Sequence, residues 1–284
     1  MFKTPTPNRK RAINIIRHTR TNSGKPLIAH RGAGWDCPEN TLEAVKLADK
    51  NGADAIEFDL EFSKDDVALI FHDDTLDRTT NGTGFIRQKY WRELQQLDAS
   101  YGEFRTKYKG LQIPLLADMV DLCLYLKLKM YIDVKGTPSK AVPALTKLFQ
   151  EREQLYDNAI VCSFNPIIPY KLRKADSKII VGVTHRHKFL TRKVDGSERE
   201  SNTIKSLIFP TFDSILEWSI INWIPKFVGA SAILLHLDSV NKNLVEKFKT
   251  QDIEVVVWTV NELSEKNYFG NELKCPIITD TLTQ

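Results

Sequence analysis

Eight short apolar runs, each separated from the next by a longer stretch, constrain this chain more than any other feature. They are Leu27 to His30, Ala55 to Leu60, Met130 to Val134, Ile160 to Phe164, Ile179 to Val183, Ala232 to His236, Glu254 to Thr259 and Ile277 to Asp280. Helical patterns lie between them, as in Thr41 to Asn51, Leu116 to Leu128, Lys140 to Glu151 and Lys242 to Thr250. Strands that alternate with helices pair in parallel, because a helical crossover brings the chain back to the same end of the sheet. Eight such units over 284 residues predict an α/β fold of the closed (β/α)8 TIM-barrel kind. An open doubly wound sheet is the alternative.

One segment breaks the alternation. After "AIEFDLEF" come only "SKDD" and then "VALIFHDD", a second strand too close to be a parallel neighbour. A connection this short joins antiparallel strands. Residues 61 to 73 are therefore expected to form a hairpin rising from the second barrel strand, folding about Lys64 to Asp66. It leads into an inserted subdomain, so that the whole insertion covers about residues 61 to 113. A second insertion, about 186 to 230, contains the apolar and aromatic stretch "IKSLIFPTFDSILEWSIINWIPKFV". Charges and two prolines interrupt it, and no run reaches the roughly 20 apolar residues of a spanning helix. It reads either as an interfacial membrane contact, with Trp218 and Trp223 at headgroup depth, or as a helix covering the barrel.

Charge is unevenly distributed. Residues 1 to 25 carry seven Lys or Arg and no acid, whereas the remainder holds 33 basic and 36 acidic residues. The basic balance belongs to an N-terminal arm, and residues 26 to 284 form the barrel domain. Such an arm reads first as a solvated tail and next as a contact for an anionic membrane. No aromatic residues interleave with its charges and no nucleic-acid motif occurs, so nucleic acid is not expected as a partner. The arm has no apolar core long enough for a cleavable leader or a spanning segment, and none is expected. The four cysteines form no CxxC pair and suggest neither a zinc site nor a disulfide framework.

Barrel active sites form at the carboxyl ends of the strands, so the residues there come first. The first strand ends in His30, Arg31 and Gly32; the second carries Glu57 and Asp59; the third ends in Asp133 and Lys135. Alternation along a strand points Glu57 and Asp59 the same way, and likewise Asp133 and Lys135. Three carboxylates converging in an apolar mouth are costly without a cation, and an all-oxygen donor set suits one divalent ion, magnesium or calcium. Folding of the hairpin returns His72 opposite Glu57 and Phe58, facing His30 across the acids. Two imidazoles beside a cation site read as a general acid and a general base. Arg31 and Lys135 add fixed positive charge, which favours a phosphoryl substrate. Either Asn40 or Thr41 caps the helix that follows. Glu39, just outside it, is a partner for Arg31, a substrate contact, or a plain helix-end charge.

Taken together, "HRG", "PENT", "EFDLEFSKDD", "HDDTLDRTTNGTG", "DVK", "SF" and "WTVN" resemble, in this order, the glycerophosphodiester phosphodiesterase family. "GVTHR" and the apolar insertion after it resemble its eukaryotic membrane-associated branch. The resemblance implies a TIM barrel with a small insertion after strand two. It implies a divalent ion on Glu57, Asp59 and Asp133, the last where many relatives carry glutamate. It implies His30 and His72 as the catalytic pair and Arg31 and Lys135 as phosphate contacts. Trp258 and Asn261 of "WTVN" would shape the pocket, although Trp258 reads equally as core.

The expected function is hydrolysis of glycerophosphodiesters, such as glycerophosphoinositol or glycerophospho-N-acylethanolamine, to glycerol 3-phosphate and an alcohol. A small-molecule or lipid-derived phosphodiester is thus the expected substrate, with peripheral contact to a membrane. The competing readings are a lysophospholipase D using the same residues and a non-catalytic barrel used for binding.

Overall fold

The computed structural model describes residues 4–20, 24–102, 104–192, 197–199 and 203–283. Its strands are β1 (Leu27–His30), β2 (Ala55–Phe62), β3 (Ala68–Ile70), β4 (Lys129–Val134), β5 (Ala159–Ser163), β6 (Ile180–His185), β7 (Ala232–His236), β8 (Glu254–Trp258) and β9 (Ile277–Thr279). All except β3 run parallel, each beside its neighbour in sequence, and β1 pairs with both β2 and β9. The sheet is therefore a closed eight-stranded barrel, and the open-sheet alternative is excluded. β3 folds back antiparallel on β2 with Leu60 opposite Ile70, and the chain reverses where Ser63 N donates to Val67 O at 3.0 Å.

The helices are α1 (Arg9–Ile16), α2 (Leu42–Lys50), α3 (Trp91–Leu94), α4 (Leu116–Tyr125), α5 (Pro138–Glu151), α6 (Ile167–Ala175), α7 (Thr203–Asn222), α8 (Ile224–Val228), α9 (Lys242–Lys249) and α10 (Leu263–Asn267). Every residue of β2 is buried, because a parallel strand is covered on both faces. Ile56, Phe58, Leu60 and Phe62 pack outward with α4 and α5 in the largest core cluster. Glu57, Asp59 and Glu61 alternate with them on the other face. The insertion has a small core of its own around Leu69, Phe71, Leu76, Ile86 and Leu94.

The N-terminal arm departs from its reading as a solvated tail. Ala12, Ile15 and Ile16 of α1 are buried in one cluster with Ile28, Tyr131, Ile160, Ile180 and Val256 of the barrel strands. Helical spacing puts these three side chains on one face, which plugs the barrel at the end away from His30. Tyr131 Oη donates to Ile16 O at 3.2 Å from inside the barrel. The arm's cations meet acids of the barrel: Arg17 Nε lies 2.7 Å from Glu254 Oε2, Arg20 Nη1 lies 2.5 Å from Asp49 Oδ1, and Arg9 pairs with Asp252. Arg173, fully buried on α6, donates to Pro5 O at 2.6 Å. Residues 1 to 25 are thus not separate from the barrel in their described part: burying Ile15 and Ile16 stabilises it by roughly 1.5–3 kcal/mol each.

The apolar stretch after β6 forms α7 and α8. Ile220, Ile224 and Val228 belong to the core, whereas Phe212, Ile215 and Trp218 are exposed. Among the described residues no helix is long and apolar enough to cross a membrane.

Candidate active site

The loop after β1 is built for a close turn. Arg31, Gly32 and Ala33 all have positive φ, at 52°, 81° and 68°. Gly32 is required there, since a Cβ would lie 2.7 Å from Ala44 Cβ on α2. Holding non-glycine residues left-handed costs on the order of 1–3 kcal/mol each, and such strain gathers at functional sites. Here it turns Arg31 N toward Glu57 Oε2 at 3.0 Å and brings the guanidinium 3.0 Å from Glu39 Oε1 and 3.3 Å from Asp59 Oδ2. Of the two candidates for the cap of α2, Thr41 is the one, its side chain accepting from Ala44 N. Asn40 instead braces Asp59, donating to Oδ2 at 2.8 Å and accepting from Asp59 N at 3.2 Å.

Glu57, Asp59 and Asp133, all buried, each offer an oxygen within 4.8 Å of the others. Lys135 Nζ lies 2.6 Å from Asp133 Oδ2 and 3.1 Å from Asp59 Oδ1, and Thr184 Oγ1 donates to Asp133 Oδ1 at 3.1 Å. Burial alone would raise Asp59, but Lys135, His72 and Arg31 hold it well below the ordinary carboxylate range. Glu57 moves the other way: burial, then the charge of Asp59, raises it well above that range. Three buried carboxylates beside Lys135 and Arg31 leave the cluster short of positive charge. Three hard oxygen donors around such a deficit fit a divalent metal ion.

The two histidines stand beside this cluster, each tied through Nδ1 to a carboxylate. His30 Nδ1 lies 2.5 Å from Asp280 Oδ1, and its Nε2 is 3.8 Å from Glu57 Oε2. His72 follows β3, where Phe71 N donates to Asp59 O at 2.9 Å, and its Nδ1 lies 2.6 Å from Asp73 Oδ1. Burial and Arg31 work to lower His30, but the Asp280 hydrogen bond and Glu57 outweigh them and raise it. Burial dominates at His72 and lowers it despite Asp59 and Asp73. Arg78, from the insertion, ties the two halves together. Its Nε donates to Asp73 Oδ2 at 2.7 Å, while Nη1 and Nη2 donate to Glu39 Oε2 and Oε1 at 2.7 Å each.

The acid trio, the two histidines, Arg31, Lys135, Glu39 and Arg78 line one cavity of about 280 Å³, together with Phe164 and Trp258, while Asp73 and Asn40 lie behind its wall. His30, His72, Arg31, Glu39, Lys135, Glu57, Asp59, Asp133 and Trp258 are thus brought together. Asn261 is not: it lies behind the wall, donating from Nδ2 to Asp280 Oδ2 at 2.8 Å and accepting from Asp280 N at 2.8 Å. It steadies the carboxylate that orients His30 rather than shaping the pocket. Glu39 is shared between two arginines, so the helix-end reading does not describe it. The side chains that sequence reasoning missed are Asp73, Arg78, Thr184 and Asp280. Asp73 and Arg78 sit inside the quoted "HDDTLDR", and Asp280 directly follows β9, a position that marks a mouth residue without showing which ring it meets.

Comparison with known proteins gives the family. The model of the glycerophosphoryl diester phosphodiesterase family matches residues 30–283. The chain is 38% identical over 281 residues to glycerophosphodiester phosphodiesterase 1 of Rattus norvegicus, covering 99% of this chain and 84% of that one. The chain belongs to the glycerophosphoryl diester phosphodiesterase family. It is accordingly an enzyme of the phosphoric diester hydrolase class. With the Homo sapiens glycerophosphodiester phosphodiesterase 1 it shares 40% identity over 258 residues, 90% of this chain and 78% of that one. Among solved structures, an Oleispira antarctica phosphodiesterase in complex with sn-glycerol-3-phosphate superposes with a TM-score of 0.69 at 22% identity, covering 89% of this chain and 91% of that one. The glycerophosphodiester phosphodiesterase of Agrobacterium tumefaciens gives 0.69 at 22% identity, covering 91% and 97%. At that identity the structures attest the family's barrel fold.

Proposed function

We propose that the chain hydrolyses glycerophosphodiesters to glycerol 3-phosphate and an alcohol, with Glu57, Asp59 and Asp133 holding one divalent cation, magnesium or calcium. The observation that carries this reading is the pair of imidazoles in one cavity with the acid trio, each fixed by a carboxylate on Nδ1. A hydrogen bond from Nδ1 leaves Nε2 of each ring to take or give a proton. One ring accepts the proton of the attacking hydroxyl as its oxygen bonds phosphorus. The other donates a proton to the alkoxide as the second phosphorus–oxygen bond breaks. The opposite directions in which burial and Asp280 move the two rings suit that division, His30 retaining its proton and His72 releasing it. Arg31 and Lys135 place fixed charge where phosphate oxygens gather. A cation on the trio would polarise the non-bridging oxygens as a Lewis acid.

The test is a panel of glycerophosphoinositol, glycerophospho-N-acylethanolamine and glycerophosphocholine, assayed with magnesium and with calcium after chelation. Cation-dependent release of glycerol 3-phosphate is expected. Release of alcohol from lysophospholipids but from none of these would replace the reading with lysophospholipase D activity. No turnover on either set would leave only the binding role.

A further inference from the structure

We propose that the outward face of α7 and α8 docks on an anionic phospholipid bilayer, presenting the active-site mouth to it. The face consists of Ile208, Phe212, Ile215 and Trp218 on α7, continued by Trp223 and Phe227 at α8. Spacings of three and four residues put the first four on one side of the helix. Their exposure is high for residues of this kind, 52% at Phe212, 54% at Ile215 and 61% at Trp218. Single exposed apolar side chains are ordinary, but a contiguous set marks an interaction site.

The charges decide what the face accepts. Both acids of this stretch are turned away from it. Asp213 accepts from Leu190 N at 2.7 Å, Thr191 N at 3.1 Å and Thr191 Oγ1 at 2.7 Å, and Glu217 Oε2 lies 2.8 Å from His187 Nδ1. From 208 to 227 the exposed side chains are therefore apolar or uncharged polar, apart from Lys226. An apolar face with two indoles, a cation at its end and no exposed carboxylate is complementary to a negatively charged interface. Among the described residues no helix can span a bilayer, so the contact lies in the plane of the membrane.

The helix that bears the face is tied on its inner side to the wall of the catalytic cavity. Phe164, on the cavity wall, meets Trp258 edge-on at 6.0 Å and stacks on Phe189 at 5.1 Å. Phe189 immediately precedes the residues that Asp213 fastens to α7. An aromatic ladder thus runs from the cavity to the middle of the docking helix, on the side that Asp213 faces. The docking itself does not depend on the assigned reaction, and the experiment reads it without turnover.

The experiment is flotation of the whole chain with vesicles of phosphatidylcholine, and of phosphatidylcholine mixed with phosphatidylserine. The expected result is recovery with the anionic vesicles, and a roughly hundredfold loss of partitioning in the triple variant Phe212→Ser, Ile215→Ser, Trp218→Ser. Turnover of a water-soluble glycerophosphodiester and the melting temperature are expected to stay at wild-type values in that variant, because all three side chains are exposed. Wild-type protein remaining unbound with both vesicles overturns the proposal, as does flotation of the triple variant at the wild-type level. Equal recovery on phosphatidylcholine alone overturns the anionic preference. A wild-type dimer that the triple variant dissolves, without vesicle binding, assigns the face to a second copy instead.

Discussion

At one end of the barrel Ile15 and Ile16 fill the space between the strands, and Arg17 meets Glu254 at 2.7 Å on the rim. At the other end three buried carboxylates converge, with two histidines beside them and a loop held at positive φ. The same eight strands serve both ends. At the plugged end apolar surface is buried and Arg9, Arg17 and Arg20 each meet an acid, an arrangement that contributes to stability. At the mouth three carboxylates gather beside Lys135 and Arg31, and burial, then the charge of Asp59, drives Glu57 toward protonation. Closed ends of a barrel hold it together; strained and uncompensated ends do chemistry.

That contrast can be broken or sharpened by substitution at each end. The largest effect is expected at the mouth: His72→Ala should lower kcat by roughly 10²–10⁴-fold while the melting temperature holds, as the proposed proton-transfer role of the ring requires. Near-native turnover would remove the hairpin histidine from the mechanism. At the plugged end Ile16→Ala should do the reverse, costing about 2–5 kcal/mol by denaturant unfolding with kcat per folded molecule unchanged. Loss of activity in proportion to stability would instead show that the plug reaches the site.

Asp280→Asn keeps the shape beside His30 but removes the charge, and should lower kcat by roughly ten- to a hundredfold, the worth of a charged hydrogen bond. It is expected to leave KM nearly unchanged, which separates positioning of His30 from substrate contact. Cation affinity supplies a fourth measurement. Glu57 is raised, so it carries a proton at pH values where an ordinary glutamate is ionised, and a metal ion must displace that proton. Affinity measured by titration calorimetry should therefore fall as pH is lowered through the neutral range, by up to about tenfold per unit. Flat affinity between pH 6 and 8, values chosen on the order of the histidine range, would mean Glu57 is not a ligand. The smallest effect is expected from Arg9→Ala on the plugged rim, where an exposed pair with Asp252 contributes about 0–1 kcal/mol and salt screens it.

Strand alternation was legible because parity on a strand is strict. Glu57 with Asp59, and Asp133 with Lys135, could be placed in the mouth from spacing alone. The hairpin was legible for the same reason: a reversal at Lys64 to Asp66 leaves one register, and Leu60 opposite Ile70 puts His72 where spacing sends it. The plug was not legible. Ala12, Ile15 and Ile16 have helical spacing, but cations surround them, and only the rim acids of a folded barrel reveal those charges as paired. Nor was the carboxylate behind each histidine. Asp73 adjoins its ring, but Asp280 lies 250 residues from His30, and nothing local marks such a pairing. Asn261 was drawn to the site by its motif; its partner, Asp280, decides its role.

β1 has only four residues, and it closes the barrel by pairing with β2 on one side and β9 on the other. The strand that bears His30 is thus the seam of the cylinder, and its far side is the strand the ribosome makes after the other seven of the barrel. Until residues 277–280 emerge, the seam stays open and the imidazole has no carboxylate to aim it. Nascent chains, and fragments clipped upstream of β9, would hold nearly every candidate group of the mouth and are expected to be inert, so activity reports a barrel closed by β9.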